Sequence, residues 1–108
     1  MKPSAALSDK RAIVRELIAR SCATNPRIFG SVVRGDDTDN SDLDLLVDAL
    51  PGATLLDLGG LQDELESELG VRVDVRTPGD LPKRIRERIL EEAKPLGSPR
   101  DSRTTLLI

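Results

Sequence analysis

Two aspartates separated by one residue, Asp42 and Asp44, are the strongest chemical feature of this 108-residue chain. They lie in Asp42-Leu43-Asp44-Leu45-Leu46-Val47-Asp48, where the odd positions are apolar and most even ones acidic, the alternation of a half-buried strand. Residues two apart on a strand share a face, so both carboxylates point the same way while Leu43 and Leu45 enter the core. Parallel carboxylates repel unless a cation lies between them. Mg2+ takes oxygen ligands from a couple of carboxylates, waters and substrate phosphates. The plain alternative is a pair of solvated aspartates on a polar strand face. Upstream stands Phe29-Gly30-Ser31-Val32-Val33-Arg34-Gly35. Gly30 lets backbone approach an anion, Ser31 adds a hydroxyl donor and Arg34 a fixed cation, which suits a phosphate; an ordinary turn carries Gly-Ser equally well. A third carboxylate, Asp74 in Val71-Arg72-Val73-Asp74-Val75-Arg76, either completes a two-metal phosphoryl-transfer site or pairs with Arg72 or Arg76 on the strand surface.

Composition removes most other chemistries. The chain has no His, Trp or Tyr, one Phe and one Cys. There is therefore no Ser-His-Asp triad, no HExxH zinc helix and no imidazole base. Cys22 alone forms no internal disulfide or Cys-rich zinc site; its place on an apolar helical face makes it a core residue, and its solitude favours a reducing compartment. Sixteen basic against nineteen acidic residues give a net charge of −3, and the lack of stacking aromatics argues with it against direct nucleic-acid binding. Between Arg34 and Arg72 there is no Lys or Arg. Asp36, Asp37 and Asp39 in that stretch read as a solvated loop, and Ser41 as the cap of a turn. No apolar run reaches the ~18 residues of a membrane span, and no signal-peptide core is present, so a cytoplasmic protein is expected.

The elements that must position these residues follow from periodicity. A first helix is predicted from Ser8 as N-cap, with Ile13, Val14, Leu17, Ile18 and Cys22 on its apolar face and Asn25-Pro26 as its stop. Arg27-Ile28-Phe29 is a short strand, and a short helix follows Gly30-Ser31. After the Asp42/Asp44 strand and Pro51-Gly52, Thr54 and Asp57 form a capping box for a helix that buries Leu58, Leu61, Leu65 and Leu69 and ends at Gly70. Val71–Arg76 is the third strand, its three valines on one side. Asp80 caps a last helix that turns Leu81, Ile85, Ile89 and Ala93 inward and stops at Pro95; Lys83/Glu87 and Arg88/Glu92 read as surface ion pairs without function. Residues 1–96 form one domain. Residues 97–108 are a flexible tail whose Leu106-Leu107-Ile108 either docks on a partner or folds back.

Gly30-Ser31, a ten-residue gap, then Asp42-x-Asp44 on a strand resembles the signature of the DNA polymerase β-like nucleotidyltransferase superfamily. The run from Phe29 to Asp48 looks like its minimal nucleotidyltransferase branch, and the likeness continues through the Leu-rich helix, Val71 to Val75, and Pro82 to Pro95. The resemblance implies a nucleotidyltransferase fold of α/β (α+β) class, a small mixed sheet of three or more strands flanked by helices. It implies Mg2+, with two ions, held by Asp42, Asp44 and Asp74, and a nucleotide, ATP, whose triphosphate is held by Gly30 and Ser31 with help from Arg34. Asp74 would sit beside the acceptor hydroxyl and help to deprotonate it.

Larger members of that superfamily carry a second domain for the acceptor. Here only a helix and a tail follow the core, so a macromolecular acceptor, or one held at a homo- or hetero-oligomeric interface, is expected. Minimal members are often encoded beside HEPN-domain ribonucleases. The resemblance thus implies an antitoxin that transfers AMP from ATP to a tyrosine hydroxyl of a HEPN toxin and silences it. Two alternatives stay open: an antitoxin that acts by binding alone, and a nucleotidyltransferase acting on a small antibiotic.

Overall fold

The computed structural model describes residues 1–96; the predicted tail, 97–108, with its apolar end, lies outside the described residues. Four strands form one mixed sheet in the order β3-β2-β1-β4, with β1 Ala23–Phe29, β2 Leu43–Ala49, β3 Val73–Arg76 and β4 Lys94–Pro95. The inner pair β1 and β2 is antiparallel, β4 adds antiparallel to β1, and β3 lies parallel to β2. That parallel join needs a crossover, which helix α3, Leu55–Leu69, supplies.

Strand β2 sorts its side chains by parity. Leu43, Leu45 and Val47 are fully buried in the main core with Val14 and Ile18 of helix α1 (Pro3–Ala19) and Leu58, Leu61, Leu65 and Leu69 of α3. Leu46 points to the other face, into a smaller cluster with Phe29 and Leu81 against which Ile89 and Ala93 pack. That second face carries Asp44 and is partly covered by helix α4, Lys83–Glu92. The larger core thus lies on one side of the sheet, and Asp44 shares the other with the smaller cluster.

Helix α3 agrees with its sequence at both ends. Thr54 and Asp57 exchange hydrogen bonds in a capping box, and Gly70 closes the helix in the left-handed conformation at φ +71°.

Elsewhere the elements depart from the sequence reading. Helix α1 starts at Pro3, not Ser8, and kinks at Lys10. Proline suits the first helical turn, and the cap comes from far along the chain: Asp37 is buried, 7% exposed, and accepts the Ser4 N–H at 2.9 Å. Asp37 is therefore not part of a solvated loop, although Asp36 and Asp39 are exposed. Ile13, expected on the buried face, is 44% exposed. Asn25-Pro26 does not stop α1. The helix ends at Ala19, and the pair forms a bulge within β1, where register shifts between Thr24 and Arg27 and Asn25 adopts φ +52°. A bulge tolerates proline's missing donor. Asp48 clasps it, accepting from Asn25 Nδ2 at 2.9 Å and Arg27 Nη1 at 3.1 Å.

The C-terminal half shows three further differences. Strand β3 starts two residues later than expected. Asp80 caps a 3-10 turn at Pro78–Asp80 with Thr77, while α4 itself begins after Pro82. Pro95 is not just a stop, since Lys94–Pro95 forms β4.

Candidate functional site

Short local reasons bring each predicted residue to one end of the sheet. Chain from β1 must turn sharply into the one-turn helix α2, Ser31–Arg34, and Gly30 makes that turn at φ +78°. A side chain is excluded there for a second reason: a Cβ on Gly30 would collide with Asp44 Oδ2. The glycine thus sets backbone directly against a carboxylate. Ser31 opens α2, half-buried, and its hydroxyl bonds no described residue. Ser41 receives the Thr38 N–H at 2.9 Å and caps the turn before Asp42, as expected.

Parallel pairing sets Asp44 opposite Asp74, with Leu43 opposite Val73. Asp42 precedes Asp44 by two residues on the same side. The three carboxylates therefore share one face, and the charge density is evident at Asp44. Its carboxyl is pushed up to about 6, chiefly by burial and then by the charges of Asp74 and Asp42, with Arg76 and Arg34 opposing.

Both flanking carboxylates lean on arginines, Asp74 on one of the two expected partners and Asp42 on the other. Arg76 Nε donates to Asp74 Oδ2 at 2.9 Å, so the surface pairing weighed for Asp74 is present alongside its place in the cluster. Arg72 Nε lies 2.9 Å from Asp42 Oδ1, yet that oxygen is buried and receives no well-aligned hydrogen bond. Proximity there supplies charge without satisfying a lone pair. Arg72 also donates to Asn40 O at 2.6 Å, which fixes the loop ahead of Asp42. Among the described residues no group of three acidic, His or Cys side chains is arranged as it stands to hold a metal ion. The fit to a divalent cation rests on other observations: a buried oxygen of Asp42 without a hydrogen-bond partner, and a half-buried Asp44 whose charge is raised in cost by two further acids. These are hard oxygen donors, the chemistry Mg2+ takes.

The predicted phosphate residues lie beside this cluster and already hold an anion. Glu92, at the end of α4, accepts the Gly30 N–H through Oε1 at 2.7 Å. Arg34 Nη1 reaches both Glu92 oxygens, at 3.3 and 3.4 Å. Glu92 therefore turns to Gly30 and Arg34 rather than to Arg88 one turn back, as its helical spacing had suggested. Nothing local announces this contact, since Gly30 and Glu92 are 62 residues apart.

A cavity of about 470 Å³ opens here, lined by Phe29, Gly30, Arg34, Arg88, Ile89 and Glu92. A larger one, about 560 Å³, lies between α1 and α3 beside Cys22, Leu56 and Gly60, away from the carboxylates. Chemistry decides in favour of the smaller, where the Gly30 N–H, two arginines and Glu92 meet beside Asp44, although the three aspartates do not themselves line it.

The nucleotidyltransferase domain family matches residues 11–96 of the chain. A Methanocaldococcus jannaschii protein named a candidate protein adenylyltransferase is 40% identical over 84 residues, 78% of this chain and 89% of that one. The protein adenylyltransferase MntA of Thermococcus cleftensis is 37% identical over 78 residues, 72% of this chain and 79% of its own. The solved structure of a candidate minimal nucleotidyltransferase superposes with a TM-score of 0.76 at 47% identity, over 85% of this chain and 94% of that one. At 16% identity, an MNT antitoxin solved with a tri-AMPylated HEPN toxin of Shewanella oneidensis shares the fold, with a TM-score of 0.63 over 91% of this chain and 77% of that one. Among the described residues no helix is long and apolar enough to cross a membrane.

Proposed function

The chain belongs to the nucleotidyltransferase domain family and is a nucleotidyltransferase, and from that premise we propose that it moves AMP from ATP to a hydroxyl of a partner protein. One observation carries this reading: Asp44 and Asp74 stand opposite each other in register, with the Gly30 backbone against Asp44. Asp42, Asp44 and Asp74 would hold Mg2+, which when bound neutralises phosphate charge and polarises the bond under attack.

The chain's own residues do the rest. Gly30 N–H, the Ser31 hydroxyl and Arg34 bind and orient the triphosphate. Asp74 sits at the open edge of the site, on edge strand β3, and accepts the acceptor hydroxyl's proton in the absence of any histidine. The acceptor oxygen forms a bond to the α-phosphorus, the bond from that phosphorus to the bridging oxygen breaks, and pyrophosphate leaves.

The acceptor we infer is a HEPN-domain ribonuclease toxin, silenced in the cytoplasm by AMP on a tyrosine. Relatives named protein adenylyltransferases support transfer to protein, and the shared fold of an MNT antitoxin bound to an AMPylated HEPN toxin supports this partner class. Incubation with labelled ATP, Mg2+ and a co-encoded HEPN protein tests it. Label should appear on the partner and vanish with Asp42→Ala or Asp44→Ala. An unlabelled partner with the wild-type chain overturns the reading.

A further inference from the structure

Glu92 places a carboxylate on the donors that a phosphate would use. Its Oε1 takes the Gly30 N–H at 2.7 Å, and the Arg34 guanidinium lies within 3.3 Å of the same oxygen. A single N–H makes one good hydrogen bond, so Glu92 and a phosphate oxygen cannot both hold it at full strength. Two negative groups around Arg34 would also repel across a site that already holds Asp42, Asp44 and Asp74.

The Glu92 side chain is 23% exposed, which leaves its carboxylate a way out to solvent. No residue of α4 is fully buried, and the helix rests on Ile89 and on Ala93 just beyond its end, so Glu92 can swing by side-chain rotation without moving the fold. Arg88, one turn back, lines the same cavity and has no ion-pair or hydrogen-bond partner among the described residues. It offers the displaced carboxylate a cation at helical spacing.

We propose that Glu92 is an internal competitor for the nucleotide, closing the Gly30–Arg34 phosphate site in the free protein and yielding to a triphosphate. The proposal rests on the reading of Gly30, Ser31 and Arg34 as the phosphate site. Its effect is on affinity: the empty site is competent only in the fraction of molecules whose Glu92 has swung away, and apparent affinity falls by that fraction. A weak anion such as inorganic phosphate would seldom displace it, whereas a triphosphate would.

Calorimetric titration with AMP-PNP and Mg2+ tests this on the wild-type chain, Glu92→Gln and Glu92→Ala, with melting curves showing that each variant is folded. Glu92→Gln keeps the size and removes the charge; Glu92→Ala empties the position. Glu92→Ala should bind about five- to tenfold more tightly than wild type, the factor by which a mostly occupied site is freed, and Glu92→Gln, whose amide oxygen still accepts the Gly30 N–H without the charge, should fall between the two. Equal or weaker binding by both folded variants, with measurable wild-type binding, overturns the proposal and makes Glu92 a positioning residue for the loop. Absence of binding by all three overturns the phosphate-site reading itself, and the proposal with it.

Discussion

Replacing Asp44 by Asn should stabilise the protein while abolishing its activity. The charged form of Asp44 is disfavoured by burial and by Asp74 and Asp42, which pushes its carboxyl up to about 6 from an ordinary 3.8. A difference of about two pH units corresponds to roughly 3 kcal/mol held against the folded state. Asp44 is half-buried at a water-reached site, so screening reduces this to about 1 kcal/mol. In a domain of this size that is about 4–8 °C in melting temperature.

The sign and the pH window follow from the raised value. Between about pH 4 and 6 the folded protein keeps a proton that the unfolded chain has released, so wild-type stability falls as pH rises through that window. Above pH 6 the full cost is present. Asn carries no charge at any pH. Thermal melts without divalent cation should therefore show Asp44→Asn above wild type at pH 8, with the gap closing toward pH 4. AMP transfer should be lost at every pH. A variant that melts no higher than wild type at pH 8, or a gain of the same size at pH 4, would refute the electrostatic account.

Two further perturbations separate the site from the scaffold. Gly30→Ala forces a side chain into φ +78° and against Asp44 Oδ2, so it should cost about 1–3 kcal/mol and labelling activity together, read by denaturant melts and AMP transfer. Asp37→Ala removes the acceptor for the Ser4 N–H and should cost about 1 kcal/mol with transfer retained. That N–H holds the Asp37 carboxyl below its ordinary range, so its contribution is present above about pH 4 and disappears as pH falls; the variant and wild type should converge in acid melts.

Sequence exposes what repeats locally. The β2 alternation, the Thr54–Asp57 box, the leucine stripe of α3 and the Gly70 stop depend on neighbours within a few residues, and each stands as read. Features set by distant contacts were hidden. Asp37 looks like one more acid in an acidic loop because its partner, Ser4, is 33 residues away. Asn25-Pro26 reads as a helix stop because nothing nearby shows that β2 will pair across it with Asp48 as the clasp. At the site, the spacing of Gly30, Ser31, Asp42 and Asp44 was visible, and the pairing of Asp44 with Asp74 follows from parallel register. The Arg76–Asp74 pair was legible too, two residues apart on one strand face, whereas Arg72 turning to Asp42 and Glu92 turning to Gly30 were not, since those partners come from elsewhere in the fold.

The place of β3 at the margin of the sheet also has a kinetic meaning. The strand has four residues and one neighbour, and it reaches that neighbour only after the α3 crossover is made. Such long-range parallel pairings form late and open early. Its arrival sets Asp74 opposite Asp44, so the strand is resisted as it docks by the charge it brings. Whatever neutralises that charge therefore also tightens the edge of the sheet, which ties the electrostatics of the Asp44–Asp74 pair to the docking of β3.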